Sequence, residues 1–137
     1  MLRSITSLAA ALLLGALPAA AQTAAETAPP EAPFAKVSEL VTLPDFLPGL
    51  GTLYVDPASL PAGPFLGYDH DGKLSATIYM TPIEDLQDGT AYDDLAVGSN
   101  TVTSVDVYYN AGHPGVEKPH VHVVLYHDAE AKARLAE

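Results

Sequence analysis

The sequence predicts a mainly β domain, α+β at most: a small antiparallel sheet or partly closed barrel with a short C-terminal helix. Three observations carry this expectation. Proline and glycine divide residues 34–64 into short apolar runs with room for strands but not for helices of about ten residues or more. Phe65–Met80 has the turn residues and the alternation of a hairpin. Both Thr101–Asn110 and the run after Pro119 alternate with a period of two, as a half-buried strand does.

At the start of the chain, Arg3, the apolar run Leu8–Leu17, Pro18 and the small residues Ala19–Ala21 make the pattern of a secretory signal peptide over residues 1–21. That run is roughly half of the ~20 apolar residues a membrane span takes, so no stable membrane anchor is expected and the mature protein is expected to be exported, periplasmic or extracellular. Residues 22–33 contain no aromatic or branched aliphatic side chain and read as a flexible linker, which leaves residues 34–137 as a single domain. Only Arg3 among the basic residues is lost with the first 21, so five Lys or Arg then face all 17 Asp or Glu. Such an excess of acid disfavours nucleic acid and anionic membrane surfaces as partners. The chain has no cysteine, so the fold must rest on its apolar core.

Taking the elements in order, Val37–Leu43 and Thr52–Val55 are expected as strands, and Asp56–Leu60 as one helical turn with Asp56 at the cap and Pro57 at the first helical position. In the hairpin, Asp69-His70-Asp71-Gly72 supplies the turn. Leu74, Ala76, Ile78 and Met80 then point inward, with Ser75, Thr77 and Tyr79 toward solvent. The Asp-x-Asp-Gly turn is not a calcium loop, because Gly67 and Ile78 stand where the first and last carboxylate ligands would be needed. His70 is expected on the turn tip. Thr81–Asn100 reads as surface loop with a short helical turn near Ile83–Leu86, and Asp128–Glu137 as a C-terminal helix capped by Asp128.

Four of the five histidines fall between Gly112 and His127. On a strand after Pro119, His120, His122 and Tyr126 share one face, while Val121, Val123, Leu125 and His127 share the other. If this strand pairs antiparallel with Thr101–Asn110, residues whose numbers sum to an even value face the same way, which allows Asp106 opposite His122 and Tyr108 opposite His120. The candidate metal ligands are therefore His113 from the preceding loop, His120, His122 and Asp106. Zinc or copper suits neutral imidazoles with a carboxylate. Tyr108 and Tyr126 flank the set as groups that orient the ligands or contact a bound molecule. The competing reading is structural: histidines satisfied by hydrogen bonds within the sheet. No nucleophile elbow, phosphate-binding glycine loop or dinucleotide fingerprint is present. The chain thus reads as an exported domain whose histidine cluster binds a metal ion or small ligand. A metal-dependent or histidine acid–base enzyme is one alternative, and a structural or envelope-stress protein that self-associates as a homo-oligomer is the other.

Two family patterns bear on these residues. Gly115–His122 resembles part of the first cupin motif, with Tyr126 standing where that family has a glutamate and too little chain left for the second motif. Leu50-Gly51-Thr52-Leu53-Tyr54-Val55, Gly63–Asp69 through Tyr79–Pro82, and Gly112-His113-Pro114 with Pro119–Tyr126 together resemble a family of small exported bacterial proteins of unknown function, represented by a sigma-E-controlled protein of a thermophile. The likeness spans most of residues 45–130. It implies a β-rich domain and self-association, and a Pro-His-x-x-x-His spacing where this chain has Pro-His-x-His.

Overall fold

The computed structural model describes residues 25–98 and 100–137, so the expected signal peptide, residues 1–21, lies outside the described residues. Among these residues six strands form one open antiparallel sheet: β1 (Ala35–Lys36), β2 (Thr52–Val55), β3 (Phe65–Tyr68), β4 (Leu74–Pro82), β5 (Ser104–Asn110) and β6 (His120–Tyr126), in the order β1-β2-β3-β4-β6-β5. Among the described residues three short helices accompany it: α1 (Val37–Leu40), α2 (Ile83–Gln87) and α3 (Ala131–Arg134). The mainly β expectation holds, with the third helix at the C-terminus. Pro57–Ser59 forms a single 3-10 turn, where the Asp56 carboxylate accepts from the Ala58 N–H at 2.9 Å.

The β3–β4 turn is closed by Asp69, whose Oδ1 accepts from the backbone N–H of Asp71 and Lys73 at 3.0 and 2.9 Å, while Gly72 takes φ +76°. One face of the sheet carries the main core: Leu53, Val55, Phe65, Ala76, Ile78, Met80, Val124 and Tyr126, closed over by Val37, Ala131 and Leu135. The strand expected over Val37–Leu43 does not form, because β1 has only two residues before the chain turns into α1. Val41, Leu43, Leu47 and Leu50 then pack across the sheet face instead of extending its edge. Burial of that apolar face favours covering it over adding one more edge strand.

Every residue of β4 is buried, which corrects the expectation that Ser75, Thr77 and Tyr79 face solvent. β4 lies centrally between β3 and β6, and its second face is covered as well. Tyr79 donates its hydroxyl to the Ala96 carbonyl of the loop before β5, Thr77 Oγ1 bonds His127 Nε2 at 2.8 Å, and Ser75 Oγ donates to Asp69 at 3.2 Å. Internal partners thus make buried hydroxyls tolerable. Residues 25–33, part of the stretch expected as a flexible linker over residues 22–33, make contacts with the sheet. Ala28 N–H donates to Gly72 O at 2.8 Å, Leu74 N–H donates to Glu26 O at 2.9 Å, and Ala25 and Ala28 pack against Leu66, Tyr68 and Leu74. Backbone hydrogen bonds supply what their side chains lack.

Candidate metal centre

The site is built by β5, β6 and the loop between them. β5 and β6 pair with Tyr108 opposite His122, Asn110 opposite His120 and Asp106 opposite Val124. The expected register is two residues away from this one. Parity holds, so Asp106, Tyr108, His120 and His122 do share a face, but Asp106 is carried past the histidines. Its carboxylate instead accepts from Lys132 Nζ at 2.5 Å and from the Tyr126 hydroxyl at 3.3 Å. Lys132 holds its carboxyl below the usual range. Neither Asp106 nor Tyr126 joins the histidine group, and Tyr126 is buried in the main core. Its hydroxyl is pushed up to about 12 by burial and by Asp106.

His113 reaches the site because the loop folds on itself. His113 and Val116 exchange both backbone hydrogen bonds, at 2.9 and 3.0 Å, across Pro114-Gly115 with Gly115 at φ +89°, as a type II turn requires. Gly112, at φ +131°, lies so close to Glu117 that a Cβ there would sit 2.4 Å from its carbonyl oxygen. The loop is therefore pinched shut at its base, and it presents His113 to the rings of β6.

Among the described residues, one donor atom from each of His113, His120 and His122 lies within 4.8 Å of the other two. His120 Nε2 is 2.9 Å from His122 Nε2 and 3.2 Å from His113 Nε2. Each ring is also held at Nδ1: His120 against the Lys118 carbonyl at 2.7 Å, His113 against the Pro114 carbonyl at 3.0 Å, and His122 against the Tyr108 hydroxyl at 3.1 Å. A carbonyl only accepts, so Nδ1 of His113 and His120 carries the proton. In the neutral ring Nε2 is then a bare lone pair. His120 and His122 are 0% and 3% exposed. Burial first, then the neighbouring His120 and His113, push the His122 imidazole down to about 4, so it is neutral at pH 7. Three imidazole nitrogens grouped this closely suit a cation: tetrahedral zinc bonds of ~2.0–2.1 Å space their nitrogens about 3.3 Å apart.

A cavity of about 290 Å³ adjoins this group and is bounded by His113, His122, Tyr108 and Asn110 on the β5–β6 side. Its remaining wall is apolar and includes Val41, Leu43 and Leu47, which sequence reasoning did not connect with the histidines. Nor did it find the Lys118 and Pro114 carbonyls, since a backbone acceptor has no residue-type signature. The other two histidines stay apart. His127 lies on the opposite face, between Thr77 and the Thr101 carbonyl. His70 stacks on Phe46, with ring centroids 3.7 Å apart, and bonds the Glu137 carbonyl at 2.8 Å.

No protein-family model matches the chain, and no curated protein does. Among solved structures, the chain is similar to a crystal structure of a hypothetical protein, TTHB210, from Thermus thermophilus. The two are 39% identical, with a TM-score of 0.59, over 69% of this chain and 88% of that one. The chain belongs to the family of that protein.

Proposed function

We propose that this member of the TTHB210 family is an exported domain that binds one first-row divalent metal ion, of the zinc or copper class, through Nε2 of His113, His120 and His122. The observation that carries the reading is the hydrogen bonding on the far side of each ring. Carbonyls at Nδ1 of His113 and His120 leave both Nε2 lone pairs aimed at the same point, and Tyr108 holds His122 alongside them. In their neutral rings the Nε2 lone pairs of His113 and His120, 3.2 Å apart, repel one another, and a bound cation turns that repulsion into coordination. Asp106 has no part in this set. Export rests on the signal-peptide pattern of residues 1–21.

Three protein nitrogens leave a fourth position for water or a ligand, which is also the arrangement metal-assisted chemistry would use. The test is metal analysis of the purified mature protein after dialysis against zinc or copper. One equivalent per chain is expected, lost in His120→Ala and His122→Ala with the β-sheet circular dichroism kept. Metal content unaffected by either substitution would sink the assignment.

A second reading, assembly of copies through the sheet edge, is favoured by a separate observation. On the face away from the histidines, β5 exposes Val105 (48%), Val107 (65%) and Tyr109 (61%).

A further inference from the structure

Resting on the metal reading above, we propose that the cavity beside the histidines takes a small amphiphilic carboxylate, its anionic head on the metal ion and its aliphatic or aromatic tail against the apolar wall. The charge of the site asks for the head. Three neutral imidazoles do nothing to offset a divalent ion, and among the described residues the ligand group contains no carboxylate. Asp106, the acid on the same face, is engaged by Lys132. An ion with uncompensated charge beside a low-dielectric cavity draws an anion into its open position.

The division of the walls asks for the tail. Polar groups bounding the cavity come from β5, β6 and their connecting loop, as Tyr108, Asn110, His113 and His122. Across from them, β2, β3, β4 and the Val37–Leu50 segment supply aliphatic and aromatic side chains. Such a wall leaves the hydroxyls of a sugar or polyol without partners, which excludes a uniformly polar ligand. Among the described residues no lysine or arginine lines the cavity, so the metal ion is the anchor for the negative charge. A volume of about 290 Å³ sits at the small end of ligand pockets, which suits a short chain or a single ring.

The experiment titrates zinc-loaded mature protein with octanoate, acetate and octyltrimethylammonium by calorimetry, with metal content measured on the same samples. Octanoate should bind at least about ten-fold more tightly than acetate, which lacks the tail, and than octyltrimethylammonium, which lacks the head. In cobalt-substituted protein, octanoate should shift the visible ligand-field bands and the ammonium should not. Leu43→Trp and Leu47→Trp each fill the cavity from a half-buried position outside the metal ligands, and should keep one metal per chain while weakening octanoate at least about ten-fold. Two such variants guard against one failing to fold. Full metal occupancy with octanoate no tighter than acetate, or unaffected by both tryptophans, overturns this inference and leaves the metal centre standing. A protein that takes up no metal overturns both.

Discussion

A neutral histidine whose Nδ1 proton is claimed by a backbone carbonyl has only Nε2 left to offer, and offers it as a lone pair. His113 and His120 are both held this way, by oxygens within their own loop. His122 differs, because its Nδ1 partner is a side chain that can be removed. Tyr108→Phe should therefore lower metal affinity about ten-fold, as loss of an orienting partner does in other metal sites. Competition against a chromophoric chelator measures this, and affinity equal to wild type would take Tyr108 out of the site. How far these residues are readable differs from one to the next. The two-residue repeat puts His120 and His122 on one face of any strand that contains both. For Asp106 the pattern yields the right face but the wrong partner. Alternation determines which side a residue faces, whereas register depends on how much chain the connecting loop consumes.

The loop that sets this register is itself an element with a purpose. Gly112 approaches the backbone of Glu117 too closely for any side chain, so Gly112→Ala must push the loop open and carry His113 away. Metal affinity is expected to fall at least about ten-fold while sheet content stays, because β5 and β6 pair on either side of the loop. Helix α3 is held differently, by charge. Arg134 donates to Asp69 at 2.8 Å and to both oxygens of Asp128 at 2.9 and 2.8 Å. Arg134 and Lys73 hold the Asp128 carboxyl well below its usual range. Burial alone would raise Asp69, but hydrogen bonds from the Lys73 N–H, Arg134, Ser75 and the Asp71 N–H outweigh it and leave that carboxyl lowered. A carboxylate whose folded pKa is depressed contributes stability that is present above its unfolded pKa, about 4, and lost as pH falls through the folded value. Arg134→Gln should thus cost about 2 kcal/mol at neutral pH and flatten the loss below about pH 4 in urea unfolding. In metal-free protein His122, held down to about 4, adds an earlier loss from about pH 6.5 downward. That loss is common to both proteins, so their difference isolates the carboxylates. Equal acid profiles would dismiss the clamp.

At the scale of the whole molecule, one sheet separates two surfaces with different fates. Its histidine-bearing face is covered by the Val37–Leu50 segment and α3, and there the core and the site share a boundary. The other face is covered over β4 by the loop before β5, which is why Thr77 and Tyr79 are buried although their alternation reads as a wet face. A strand's pattern records polarity, and polarity fails to predict exposure once a hydroxyl finds a partner inside. Along β5 that cover runs out. Val107 is 65% exposed and Tyr109 61%, on a strand that among the described residues has β6 as a neighbour on one side only. An apolar edge of this kind is a template for another strand. If copies of the chain meet there, Val107→Lys puts a charge into the contact and should reduce the mass measured by light scattering to that of a single chain. Metal content should not change, because Val107 and the histidines lie on opposite faces of the sheet. A wild-type protein already at single-chain mass at high micromolar concentration would remove edge assembly, and would leave the metal centre as the property that the geometry of a single copy serves.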